Sequence, residues 1–158
     1  MLKPEQISNI TKQTLNSMGF YEPSLERLVK GTFLAQSNLE SLYDDVDKYK
    51  KRRGLMLMSD SDAREIIGEY IRYRPDDRKT ITKATGVDLF NLSLEDTLML
   101  LETNISFMVA VTAMFYSSHY IVVPDNNINS IAITYKEYFN EDADVNDFVV
   151  KYTKTFIT

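Results

Sequence analysis

The stretch Ile105-Ser106-Phe107-Met108-Val109-Ala110-Val111-Thr112-Ala113-Met114-Phe115-Tyr116 decides the fold of this chain. Wound as a helix it is apolar on every side and has no polar stripe to turn towards water. At about 1.5 Å per residue it is too short to cross a bilayer. Such a segment belongs at the centre of a helical protein, and the rest of the sequence supplies what surrounds it.

Downstream, Ile128, Ile131, Ala132, Tyr135 and Phe139 recur at helical spacing, and so do Val145, Phe148, Val149, Tyr152 and Phe156. Between them and the central stretch, Tyr120-Ile121-Val122-Val123-Pro124 reads as a short extended piece, broken by Pro124 and Asp125-Asn126-Asn127. Upstream, Ser93-Leu94-Glu95-Asp96 resembles a capping box that opens a helix through Leu101. A short helix is expected over 76–85, closed by Gly86. Ala63, Ile66, Ile67, Tyr70 and Ile71 form the inner face of another, capped by Ser59 or Ser61 and ended by Pro75.

Pro23 suits the first turn of a helix whose Leu25, Leu28, Val29, Thr32, Phe33 and Gln36 share one face. Ile7, Ile10, Leu15 and Met18 mark the first helix, stopped by Gly19. Residues 38–53 read as an exposed excursion, acidic at Asp44, Asp45 and Asp47, then basic at Lys48, Lys50, Lys51, Arg52 and Arg53. Gly54-Leu55-Met56-Leu57-Met58 returns the chain to the core. The expectation is an all-α, single-domain protein of about seven to eight helices around a buried apolar central helix.

Composition narrows the function. The chain has 158 residues, of which 44% are hydrophobic, enough for a real core. A formal net charge of −5 argues against broad nucleic-acid binding and against a polybasic membrane surface. With no cysteine and the single histidine His119, thiolate and multi-His metal sites are excluded, and neither metal nor cofactor is expected. Met1-Leu2-Lys3-Pro4-Glu5 lacks the apolar run of a signal peptide, and no membrane span is expected.

An ordered set of short motifs runs through residues 22–156. It comprises Gly31-Thr32 with Ser37, Gly54-Leu55-Met56 with Met58, and Ile71-Arg72-Tyr73-Arg74-Pro75. Ala110 to Met114 leading to His119-Tyr120 comes next, then Tyr135, Tyr138 and Phe148 to Tyr152. In this order the chain resembles a family of bacteriophage lysozyme-like proteins, described as transglycosylases or phage structural proteins. The resemblance implies residues 1–21 as an N-terminal helix or arm, followed by a lysozyme-like helical domain over 22–158.

In that family the helix ending near position 36 carries the catalytic glutamate. Here position 36 is Gln36, and the glutamine that follows Gly-Leu-Met and faces substrate is replaced by Leu57. A glycosidase needs a carboxylic acid to protonate the leaving sugar, which an amide cannot do. Loss of general acid catalysis alone costs about 10²–10⁴-fold in rate. Gln36 is then either a sugar-binding amide in a groove or a partly buried polar residue satisfied by its neighbours. Glu40 lies one turn further along, if the helix continues, and is the alternative acid.

The remaining features have plainer readings. Asp44, Asp45 and Asp47 lack the turn glycine and terminal glutamate of a calcium loop. His119 reads as a structural residue at a helix end. Tyr43, Tyr49, Tyr70, Tyr73, Tyr116 and Tyr120 suit either a sugar cleft or an assembly interface, with Leu57, Tyr73 and Tyr116 as the substrate-binding candidates. The resemblance together with Gln36 and Leu57 implies a structural virion protein of a tailed bacteriophage, without catalytic residues. It would act in tail, neck or baseplate assembly beside other virion proteins, in multiple copies. The alternative is an active peptidoglycan hydrolase, a muramidase or lytic transglycosylase; a third is a module that binds glycan without cutting it.

Overall fold

The computed structural model describes residues 2–40, 43–44, 51–119 and 126–157. The charged run at Asp45, Asp47, Lys48 and Lys50, the tyrosines Tyr49 and Tyr120, and the extended piece expected over 120–124 lie outside the described residues. Eight α-helices are present among the described residues: α1 (Pro4–Met18), α2 (Pro23–Ser37), α3 (Asp60–Glu65), α4 (Pro75–Thr85), α5 (Leu94–Leu100), α6 (Ile105–Ser118), α7 (Ile128–Tyr138) and α8 (Val145–Tyr152). Among the described residues the chain is all-α but for three two-residue strands, β1 (Tyr43–Asp44), β2 (Arg52–Arg53) and β3 (Met58–Ser59). They form an antiparallel sheet in the order β1-β2-β3, with Tyr43 opposite Arg53 and Arg53 opposite Met58.

The central stretch behaves as its composition demands. Every residue from Phe107 to Tyr116 of α6 is buried. Asn104 starts this helix: its side-chain oxygen accepts from Phe107 N–H at 2.9 Å, satisfying one of the donors that a helix N-terminus leaves free. α1, α2 and α4 pack against α6, while α2, α7 and α8 pack on one another. No single helix among the described residues is long and apolar enough to cross a membrane.

α1 lies on the body of the protein. It packs against α2, α4 and α6, and Ile7 and Leu15 are fully buried in the common core. The expected division at residue 21 is therefore a short link between two packed helices.

Three local expectations change. Pro75 both ends the preceding helical run, which stops at Tyr73 with Arg74 non-helical, and itself opens α4, because a proline has no N–H to lose at the first helical position. α3 is short and runs into a π-helical turn, Ile66–Tyr70, in which Ile71 N–H reaches back to Ile66 C=O, and then a 3₁₀ turn, Ile71–Tyr73. The excursion over 38–53 is not wholly exposed, since Arg53 is 5% exposed. Its guanidinium donates to Glu102 at 3.0 Å and to Asp60 at 2.9 Å, so two carboxylates compensate the buried charge. This clamp holds β2 to the start of α3 and to the α5–α6 connection.

Candidate functional site

α2 delivers Gln36 to the junction of three segments. Its last turn ends at Ser37, and Asn38 follows in the left-handed conformation, φ 56°, with its N–H returning to Leu34 C=O. Leu39 is also left-handed, φ 59°. The helix thus stops one residue after Gln36, and the chain hooks away. The second segment is the turn at Gly54, which closes by Leu57 N–H donating to Gly54 C=O at 3.0 Å. Gly54 has φ 75°, and a side chain there would place its first carbon 2.7 Å from Leu101 C=O, so only glycine fits. The third segment is the end of α7, with Tyr135 and Asn140.

The Gln36 amide ties these segments together. Its nitrogen donates to Met56 C=O at 3.1 Å. Its oxygen accepts from the Tyr135 hydroxyl at 2.5 Å and from the Asn140 amide at 3.2 Å. The orientation of the amide follows from chemistry, because a carbonyl can only accept and the Asn140 NH₂ can only donate. Asn140 also donates to the Tyr135 oxygen at 3.4 Å. Burial pushes the Tyr135 phenol above its ordinary pKa, so it stays protonated and donates. No carboxylate is hydrogen-bonded to Gln36 among the described residues.

Among the described residues, the non-glycine residues with positive φ are Asn38, Leu39 and Leu57. All fall within two of the three segments that Gln36 joins. A leucine in this region is strained by its Cβ, and such strain persists only where surrounding contacts enforce it. The Gln36–Met56 bond is one of those contacts.

The other candidates disperse. Glu40 is exposed beyond the left-handed hook, its N–H bonded to Ser37 C=O at 3.1 Å, so it does not continue the face that presents Gln36. Leu57 is half-buried in the Gly54 turn, beside the carbonyl that Gln36 holds.

Tyr116 does not line a cleft: it is 1% exposed in the core of α6, where the helix has no water-facing side. Its hydroxyl lies 2.7 Å from Thr32 Oγ1, which is also 2.7 Å from Leu28 C=O. Thr32 must spend its hydrogen on that carbonyl, so Tyr116 donates to Thr32. Burial raises the Tyr116 phenol far above its ordinary pKa.

Tyr73 is 73% exposed and lines a groove of about 950 Å³ between the α3–α4 run and the segment leading into α5; neither Gln36 nor Leu57 lines it. A second hollow of about 300 Å³ holds Glu65, Tyr70, His119 and Tyr138. His119 closes α6: its Nδ1 lies 2.9 Å from Phe115 C=O and therefore carries the proton of that bond. Among the described residues no group of three or more His, Asp or Glu side chains is placed to hold a metal ion.

Sequence reasoning missed the roles of Asn140 and of the Met56 carbonyl, and it gave Tyr135 only a place in a pattern. No family model, no curated protein and no solved structure matches the chain.

Proposed function

We propose that this chain is a structural protein of a tailed bacteriophage particle, built on a lysozyme-like scaffold whose acid position has become a structural cross-link. The observation that carries the loss of catalysis is the Gln36 amide, with both ends engaged by Met56, Tyr135 and Asn140. A proton donor for a leaving sugar must be acidic near neutral pH and free to reach substrate. The Gln36 amide is neither, and the Tyr135 phenol beside it is made less acidic by burial. Glu40, the alternative acid, is carried off the helix face by the hook at Asn38 and Leu39.

The family resemblance supports the virion setting; it rests on the sequence order of Gly31-Thr32 with Ser37, then Gly54-Leu55-Met56, then the apolar run of Ala110 to Met114. The test has two arms. Mass spectrometry of purified particles is expected to find the chain as a component, and its absence would sink the assembly role. Incubation with purified peptidoglycan is expected to release no soluble muropeptides. Release by the native protein would instead make it a hydrolase.

A further inference from the structure

The groove beside Tyr73 has a charge pattern that points to its occupant. Its wall is the run from α3 through the π and 3₁₀ turns. Along it come Arg64, already paired with Asp60 and Glu95, then Glu65 and Glu69, then Arg72, with Arg78 of α4 beyond. Among the described residues, the charge left without an ionic partner is therefore acidic towards α3 and basic towards α4. Most of this charge is unspent. Arg78 gives its hydrogens to Arg72 C=O and Leu89 C=O and stacks 4.3 Å from the Phe90 ring centroid. Arg72 lies over the Tyr73 ring at 5.8 Å. Neither arginine meets a carboxylate among the described residues, whereas Arg53 and Arg64 are both ion-paired. The same groove exposes Tyr73 at 73%, Phe90 at 51% and Leu94 at 38%.

We propose that this face is the contact between two copies of the chain, related by a two-fold axis. Two antiparallel copies bring the Glu65–Glu69 end of each against the Arg72–Arg78 end of the other, which is the self-complementarity an isologous interface requires. The apolar side chains close the middle, with each Tyr73 entering the groove of its partner; aromatic and arginine side chains are what such contacts enrich. An acidic partner would meet Glu65 and Glu69, and a basic one Arg72 and Arg78. Only a partner with both signs in reverse order satisfies the whole wall. The pairing asks nothing of Gln36 or of a virion, so it stands or falls apart from the proposed function.

The test is sedimentation equilibrium of the full chain, with charge swaps at two exposed positions. The native chain is expected to dimerise. Glu69→Lys alone opposes base to base, and Arg72→Glu alone opposes acid to acid; each is expected to weaken self-association about ten-fold or more. An equimolar mixture of the two variants restores both attractive pairs, so it is expected to associate as a heterodimer. Circular dichroism verifies that each variant is folded. A native chain that stays monomeric at millimolar concentration overturns the proposal, and so do single swaps that leave association unchanged or a mixture that fails to pair.

Discussion

The Tyr135 hydroxyl donates to the Gln36 amide oxygen at 2.5 Å, across 99 positions of sequence. The bond joins the end of α2 to α7, and Gln36 extends it to the Gly54 turn through Met56. Replacing Gln36 by Leu keeps the approximate size but leaves the Tyr135 hydroxyl, the Asn140 amide and the Met56 carbonyl without this partner. The expected cost is about 1–3 kcal/mol, read as a lower urea midpoint with unchanged slope. A Gln36→Leu protein as stable as the native one would mean that the network carries no stability.

Gly31 lies under the Phe148 ring, where α2 meets α8. A methyl group at Gly31 would stand 2.2 Å from the ring's Cζ. Gly31→Ala is expected to destabilise by about 1–3 kcal/mol through overpacking. Phe148→Leu made together with Gly31→Ala should recover part of the loss, so a double-mutant cycle is expected to show strong coupling. Additive costs would place the strain elsewhere.

Lys30 is buried, with its ammonium 3.2 Å from Ser8 Oγ and 4.7 Å from the Phe156 ring centroid. Desolvation lowers its pKa below the ordinary 10.5; Glu26 opposes the shift and Arg27 adds to it. The unfolded chain therefore holds this proton more tightly, and the Lys30 contribution to stability rises as pH climbs from the folded value towards 10.5. The buried tyrosines Tyr116, Tyr135 and Tyr152, whose pKa values are raised, act in the opposite sense above their ordinary 10.0. Subtracting the urea midpoints of Lys30→Met from those of the native chain isolates the lysine. The difference should shift in favour of the native chain between neutral pH and pH 10, and a flat difference would show that Lys30 titrates normally.

Asp60 accepts from Arg64 at 2.7 Å and from Arg53 at 2.9 Å. The Arg64 bond first, and the Arg53 bond after it, hold the carboxyl below its ordinary 3.8. A depressed acid contributes stability above its unfolded pKa and loses it as pH falls through the folded one, so the loss begins near 3.8 and grows below it. Asp60→Asn should lower stability near pH 7 by about 1 kcal/mol, since the pair is partly screened by solvent. It should also flatten the acid limb of the stability curve. An acid limb identical to that of the native chain would contradict the clamp.

Much of the fold was legible because it rests on local patterns. The unbroken apolar run of α6, the stop at Gly86 and the cap at Ser93 each act within a few residues of themselves. Pro75 was given only half of its role, because a proline can end one helix and open the next. Arg53 was misplaced because its burial depends on Glu102, which lies 49 positions away. The partners of Gln36 are 20, 99 and 104 positions distant, so periodicity carries no trace of them. Tyr116 was placed in a cleft by residue type, although its own helix, apolar all round, already put it in the core.

The packing of α1 sets an order of events during synthesis. Ile7 and Leu15 of α1 are fully buried, α1 packs against α4 and α6 as well as α2, and α6 begins at Ile105. Synthesis runs from N to C, so α1 leaves the ribosome before α4 and α6, and α2, made next, covers only part of its apolar face in the meantime. Contacts of such sequence separation are slow to form, and exposed apolar surface invites aggregation in the meantime. Chaperone demand should therefore concentrate on α1, a helix that in the finished protein looks like any other.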